Sequence, residues 1–142
     1  MKIVIASDHA GFELKEKIIT YLNKKGFEIT DFGCNSEVSV DYPDFAHPLA
    51  EAVSEGKYNF GIAICGTGNG MSMTINKHQN IRCALCWDDV VSYLARKHND
   101  ANVLCLPAWY TMDSYKKIID TFINTEFEGG KHQNRVNKIT IK

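Results

Sequence analysis

The stretch that decides the fold reads Phe60-Gly61-Ile62-Ala63-Ile64-Cys65-Gly66-Thr67-Gly68-Asn69-Gly70. Its first five residues are a continuous apolar run of the length expected for a strand buried on both faces. Met71 to Asn76 can continue as a helix, which makes the residues between them a strand-to-helix turn. Glycines at 66, 68 and 70 let backbone N–H groups turn toward one point, which is how a loop grips an anion at a helix start. Cys65 sets a thiol at the mouth of that loop. A nest beside a nucleophile or base points to chemistry on an anionic substrate or intermediate; the competing reading is a tight turn without a ligand.

Working outward, the chain alternates. Lys2 to Ala6 read as a strand, and Gly11 to Lys25 as an amphipathic helix with Leu14, Ile18 and Leu22 on one stripe and Gly26 at its end. Glu28 to Phe32 read as a second strand. A polar loop through Asn35-Ser36-Glu37 leads to Asp41-Tyr42-Pro43, and a helix from Asp44 to Ser54 carries Phe45, Leu49 and Val53 four apart. Beyond the glycine turn, Ile81 to Cys86 read as the fourth strand. Asp88 or Asp89 caps a helix with Val90, Val91, Leu94 and Ala95. Asn102 to Leu106 read as the fifth strand, and Asp113 or Ser114 opens a last long helix with Ile118, Ile119, Phe122 and Ile123. Such alternation with continuous apolar strands predicts an α/β fold: one domain over residues 1–142, a three-layer Rossmann-like sandwich with a five-stranded parallel sheet.

The composition is that of an ordinary globular chain: 142 residues, 44% hydrophobic and 23% charged. A formal net charge of -1 with scattered Lys and Arg argues against a nucleic-acid surface. Met1-Lys2 leads straight into a short strand followed by Asp8 and His9, which does not fit a signal peptide, and no apolar stretch approaches a membrane span. Five cysteines, an odd count, read as reduced thiols in a cytoplasmic protein. Cys83 and Cys86 form a CxxC on a strand, where residues three apart face opposite sides, so they read as small buried residues rather than a metal or redox pair.

Ligands of parallel sheets collect at the carboxyl ends of the strands. That rule gathers Ser7-Asp8-His9, Cys65 to Gly70 and Trp87-Asp88 on one edge. His98-Asn99 breaks the pattern, because it ends a helix before the fifth strand and belongs at the opposite edge. It reads either as a helix C-terminal cap or as a contribution to the site of a neighbouring subunit. Lys131 and Arg135, four apart, project from one face of a helical turn and suit a phosphate dianion; the plainer reading is a solvated tail.

Five segments together resemble the type B ribose-5-phosphate isomerase family, which includes allose-6-phosphate and galactose-6-phosphate isomerases. They are Ser7-Asp8-His9-Ala10-Gly11, Asp41-Tyr42-Pro43, Ile64 to Gly70, Arg96-Lys97-His98-Asn99-Asp100-Ala101-Asn102 and Glu128-Gly129-Gly130-Lys131-His132-Gln133. The resemblance implies cofactor-free and metal-free interconversion of ribose 5-phosphate and ribulose 5-phosphate through an enediolate. It assigns Cys65 as the proton-transfer base, its thiolate favoured by the helix start and N–H groups. It assigns Thr67 and the N–H groups of Gly66, Gly68, Asn69 and Gly70 to the enediolate oxygen. His98 matches the residue that opens the furanose ring, with Asp8 assisting. His9 and Arg135, with Lys131, match phosphate contacts, and the tail from about residue 128 to 142 completes that site. Tyr42 and Asn99 match residues lining the sugar. The family's dimer shares its sites between subunits, so a homodimer is implied, with a tetramer formed by two such dimers as the other assembly.

Two positions depart from the pattern. Lys131 and Trp109 stand where the family commonly has arginine; lysine keeps the charge without the bidentate fork, and tryptophan supplies no charge. Cys65 is commonly lacking in the galactose-6-phosphate branch, which favours a pentose phosphate substrate and leaves allose 6-phosphate as the alternative sugar. A non-catalytic phosphate- or nucleotide-binding module would need neither Cys65 nor His98. A cysteine-nucleophile phosphatase would want an arginine within the loop, and Cys65 to Met71 contains none.

Overall fold

Period-two alternation builds both faces of the sheet. In β1 (Lys2–Ser7), Ile3 and Ile5 enter one core while Val4 and Ala6 enter the other, all fully buried. β3 (Phe60–Cys65) divides the same way, sending Ile62 and Ile64 to one side and Ala63 and Cys65 to the other. The computed structural model describes residues 1–141. With β2 (Glu28–Asp31), β4 (Cys83–Leu85) and β5 (Val103–Pro107), the strands form a five-stranded sheet, order β2-β1-β3-β5-β4, every pair parallel.

Helices cover both faces, as the alternation requires. Leu14, Ile18 and Leu22 of α1 (Phe12–Lys24) share one core with Ala95 of α4 (Asp89–Asn99) and with Ile118, Ile119 and Phe122 of α6 (Tyr115–Asn124). Leu49 and Val53 of α2 (Pro43–Ser54) share the other with Met71 and Ile75 of α3 (Asn69–Ile75). A short 3-10 turn, His9–Gly11, precedes α1. One helical turn, α5 (Ala108–Thr111), follows β5, and α7 (Lys131–Asn137) packs near the end of α4.

The three-layer sandwich and the parallel sheet are as the alternation predicts. Four local details differ. The fourth strand spans only Cys83–Leu85, because its outer edge meets a side chain instead of another strand: Cys83 N–H donates to Asn76 Oδ1 at 2.8 Å, and Asn76 Nδ2 donates to the Cys83 carbonyl at 2.9 Å. α3 starts at Asn69, so Asn69 and Gly70 are in its first turn. The turn α5 has no periodic signal. The polar tail contains a helix because His132 and Val136, four apart, are both buried. Cys83 and Cys86 face opposite sides, as expected of a strand.

After β1 the chain moves outward to β2, then returns to place β3 on the other side of β1. This reversal opens a crevice between the carboxyl ends of β1 and β3. Gly11 allows the two to close up: a Cβ there would lie 2.7 Å from the Ile64 carbonyl oxygen. Gly11→Ala is expected to destabilise the fold by about 1–3 kcal/mol, read as a lower denaturant midpoint at an unchanged m-value.

Candidate active site

Everything in the β1/β3 crevice hangs on the strand ends. Asp8 N–H donates to the Ile64 carbonyl at 3.2 Å, which ties the first loop to the end of β3. The Asp8 carboxylate caps the following turn by accepting from Gly11 N–H at 3.1 Å. His9 Nδ1 accepts from Val40 N–H at 3.1 Å, so a neutral His9 carries its proton on Nε2. Tyr42 lies against Gly70, whose Cβ position would fall 2.6 Å from the Tyr42 ring.

Cys65 ends β3 and is 5% exposed. Gly68 adopts the left-handed region at φ +78, and a Cβ there would collide with Leu85 Cδ1. This turn swings the backbone back over the strand end, and the N–H groups of Met71, Gly68 and Gly70 act on the Cys65 thiol, each lowering its pKa. The thiol therefore sits inside the nest rather than only at its mouth.

The expectation of a favoured thiolate needs correction. Burial pushes the Cys65 thiol above its ordinary value, and the neighbouring Asp8 charge adds to this; the three N–H groups pull it down without cancelling the rise. Thr67 and Asn69 are exposed on the loop's outer side, with Asn69 N–H held at 3.3 Å by Thr67 Oγ1. Gly66 is covered by the Trp109 ring, which approaches its Cβ position to 2.7 Å. Beside the loop, Thr67, Asn69, Leu85, Trp87, Pro107 and Tyr110 line an open cleft of about 490 Å³.

His98, Asn99, Lys131 and Arg135 form a separate group at the amino end of the sheet. Cys65 pairs with Pro107 at the carboxyl end of β5, whereas α4 delivers His98-Asn99 just before that strand begins. Their support is an arginine. Arg96, 9% exposed, donates from Nη1 to Asp100 Oδ1 at 3.0 Å and to the Ala101 carbonyl at 2.7 Å, and from Nε to the Thr125 carbonyl at 3.2 Å. Asp100 closes α4 in the left-handed region at φ 48. Lys131 and Arg135 are both exposed on α7, one helical turn apart.

Two neighbours of His98 are not among the residues expected from the sequence. The His132 ring stacks on His98, with centroids 4.2 Å apart and planes at 13°. Glu128 Oε2 lies 2.8 Å from His132 Nε2. Both lie in the fifth of the family-like segments, and their four-residue spacing is the signal there that pairs them. These three residues bring one potential metal ligand each within 4.8 Å of one another. Lone pairs of an imidazole lie in its ring plane, however, and the two stacked rings aim theirs along nearly parallel planes, which do not converge on one ion.

Residues 3–139 match the family described as Ribose/Galactose Isomerase. Ribose-5-phosphate isomerase B of Escherichia coli is 41% identical over 140 residues, covering 98% of this chain and 94% of the relative. A ribose-5-phosphate isomerase B structure from Clostridium thermocellum aligns with a TM-score of 0.96 and 47% identity over 98% of this chain and 95% of that one. The Mycoplasma genitalium enzyme, solved with bound ribulose 5-phosphate, aligns with a TM-score of 0.93 and 43% identity over 97% and 93% of the two chains. This chain therefore belongs to the ribose/galactose isomerase family.

Proposed function

We propose that this chain is an aldose–ketose isomerase that interconverts D-ribose 5-phosphate and D-ribulose 5-phosphate through an enediolate, in the non-oxidative pentose phosphate pathway. The observation that carries this reading is the convergence of three backbone N–H groups on Cys65 at the β1/β3 switch point. A buried thiol with N–H donors turned toward it suits proton transfer rather than a ligand clamp. The relative solved with ribulose 5-phosphate supports the same sugar here.

In the proposed mechanism, the Cys65 thiolate takes the proton from C2 of the open-chain aldose and returns it to C1. The thiol's raised affinity for protons strengthens Cys65 as the base at C2 and weakens it as the acid at C1, so the loop N–H groups that pull it down favour turnover. Thr67 and the Gly66 end of the loop face the developing oxyanion. His9, with its Nε2–H free, and the Lys131–Arg135 pair of a second copy of the chain hold the phosphate, the latter making that copy's residues from about 128 onward part of the site. Trp109 adds no charge to that end.

His98 and Asn99 complete the site only from a second copy of the chain, because one chain holds them at the opposite end of the sheet from Cys65. The surface beside the loop suits burial against a partner: Trp109 is 68% exposed, Tyr110 71% and Trp87 56%. We therefore read the working unit as a homodimer with shared sites. Among the described residues all five cysteines are unpaired, which fits a reducing, cytoplasmic setting, and no helix is long and apolar enough to cross a membrane.

Purified protein should convert ribose 5-phosphate to ribulose 5-phosphate in a coupled assay, with allose 6-phosphate run in parallel to fix the sugar. Cys65→Ala should lower kcat by about a thousandfold; full activity in that variant would sink the mechanism. Mixing inactive Cys65→Ala and His98→Asn chains, after verified exchange, should restore part of the activity, and no recovery would rule out sites shared between chains. The Asp8 charge raises the Cys65 pKa, so Asp8→Asn, which keeps a capping oxygen, should move the pH profile of Cys65 alkylation to lower pH.

A further inference from the structure

We propose that Cys105 is a positioning residue for Cys65: its thiol holds the Gly68 carbonyl and so sets the aim of the backbone N–H groups around the Cys65 sulfur. The proposal rests on reading Cys65 as the proton-transfer base. Cys105 is fully buried on β5 and faces the same core as Cys65. Its Sγ–H donates to the Gly68 carbonyl oxygen at 3.2 Å, and that oxygen also accepts from Ser72 N–H at 3.0 Å in the first turn of α3. Gly68 is the left-handed residue on which the nest turns, and its Cβ position lies 3.5 Å from Cys105 Sγ. The sulfur therefore supports that peptide from below, at the point where a small rotation would shift the start of α3 and with it the Gly70 and Met71 N–H groups.

The far end of α3 is tied down as well. Asn76, which closes the helix, grips the Cys83 backbone through both atoms of its amide. A helix of only seven residues is thus held to β5 at its first turn and to β4 at its last. The side-chain contact with Cys83 and burial push the Cys105 thiol well above its ordinary value, which favours its protonated, donor form. An apolar residue of the same volume would fill the space under Gly68 without holding its carbonyl.

That difference supplies the test. Wild type, Cys105→Ala, Cys105→Val and Cys105→Ser are compared by the pH dependence of Cys65 carboxamidomethylation with iodoacetamide, read by peptide mass spectrometry, and by kcat and KM for ribose 5-phosphate. Loss of the donor in Ala and Val should move the Cys65 alkylation curve up by about half a pH unit, roughly threefold in thiolate at a given acidic pH. It should lower kcat by a similar factor with KM unchanged, and Ser should recover part of both. If Val behaves as wild type, or Ser shifts as far as Val, Cys105 only fills volume and the proposal is wrong. Val and Ser decide the matter even if the Ala variant does not fold. The alkylation curve does not depend on turnover. An inactive wild type would therefore defeat the isomerase reading, while the Val and Ser curves would still show whether Cys105 sets the environment of the Cys65 thiol.

Discussion

The left-handed turn at Gly68 is the constraint on which the rest of the site depends. A side chain there would run into Leu85, and the φ of +78 is one that residues with a Cβ rarely adopt. With it, three N–H groups converge on one sulfur that the surrounding core has almost wholly removed from water. Two physical effects then oppose each other. Burial and the Asp8 carboxylate disfavour the thiolate, while the backbone dipoles favour it, and burial is the larger. The result is a thiol more basic than a free one, whose anion the backbone N–H groups of the loop nonetheless favour.

The second constraint is distance. A parallel sheet collects loops of one kind at each end, so a single chain cannot bring a helix-ending histidine to the carboxyl edge of its own strands. The structure invests in that distant end all the same. Arg96 is nearly buried, bonded to Asp100, Ala101 and Thr125, and lies over the Phe60 ring at 4.9 Å. Removing it would take this donor from the Ala101 and Thr125 carbonyls and from the Asp100 carboxylate. An end braced this firmly, with His98 stacked on a buried His132, is a rigid platform presented outward, which is what a site completed between copies requires.

Much of this is legible in the chain because it depends on local patterns. Apolar runs of strand length, helical stripes four apart and the glycines at 66, 68 and 70 suffice for the layer order and for the loop. The carboxyl-edge rule then gathers Asp8, His9 and Cys65 from segments more than fifty residues apart. What escapes are features that depend on contacts between distant segments. β4 is trimmed by Asn76, which looks like any helix-ending asparagine. His132 is recognisable as a buried partner of His98 only once α7 folds onto α4. The balance of effects on Cys65 is hidden as well, because glycines advertise N–H donors, whereas burial is a property of the packed core and leaves no mark at one position.

The amino-acid sequence by itself determined the elements, their alternation and hence a parallel sheet with helices on both faces, because side-chain periodicity decides which residues can be buried together. It also singled out the residues proposed to carry chemistry, Cys65 and His98 above all. Only the tertiary structure decided that the glycine loop receives Cys65 within its nest, that Asp8 works against the thiolate, and that His98 and Cys65 stand at opposite ends of one chain. These outcomes follow from distance, desolvation and the direction of backbone dipoles, and each is a property of the folded chain as a whole.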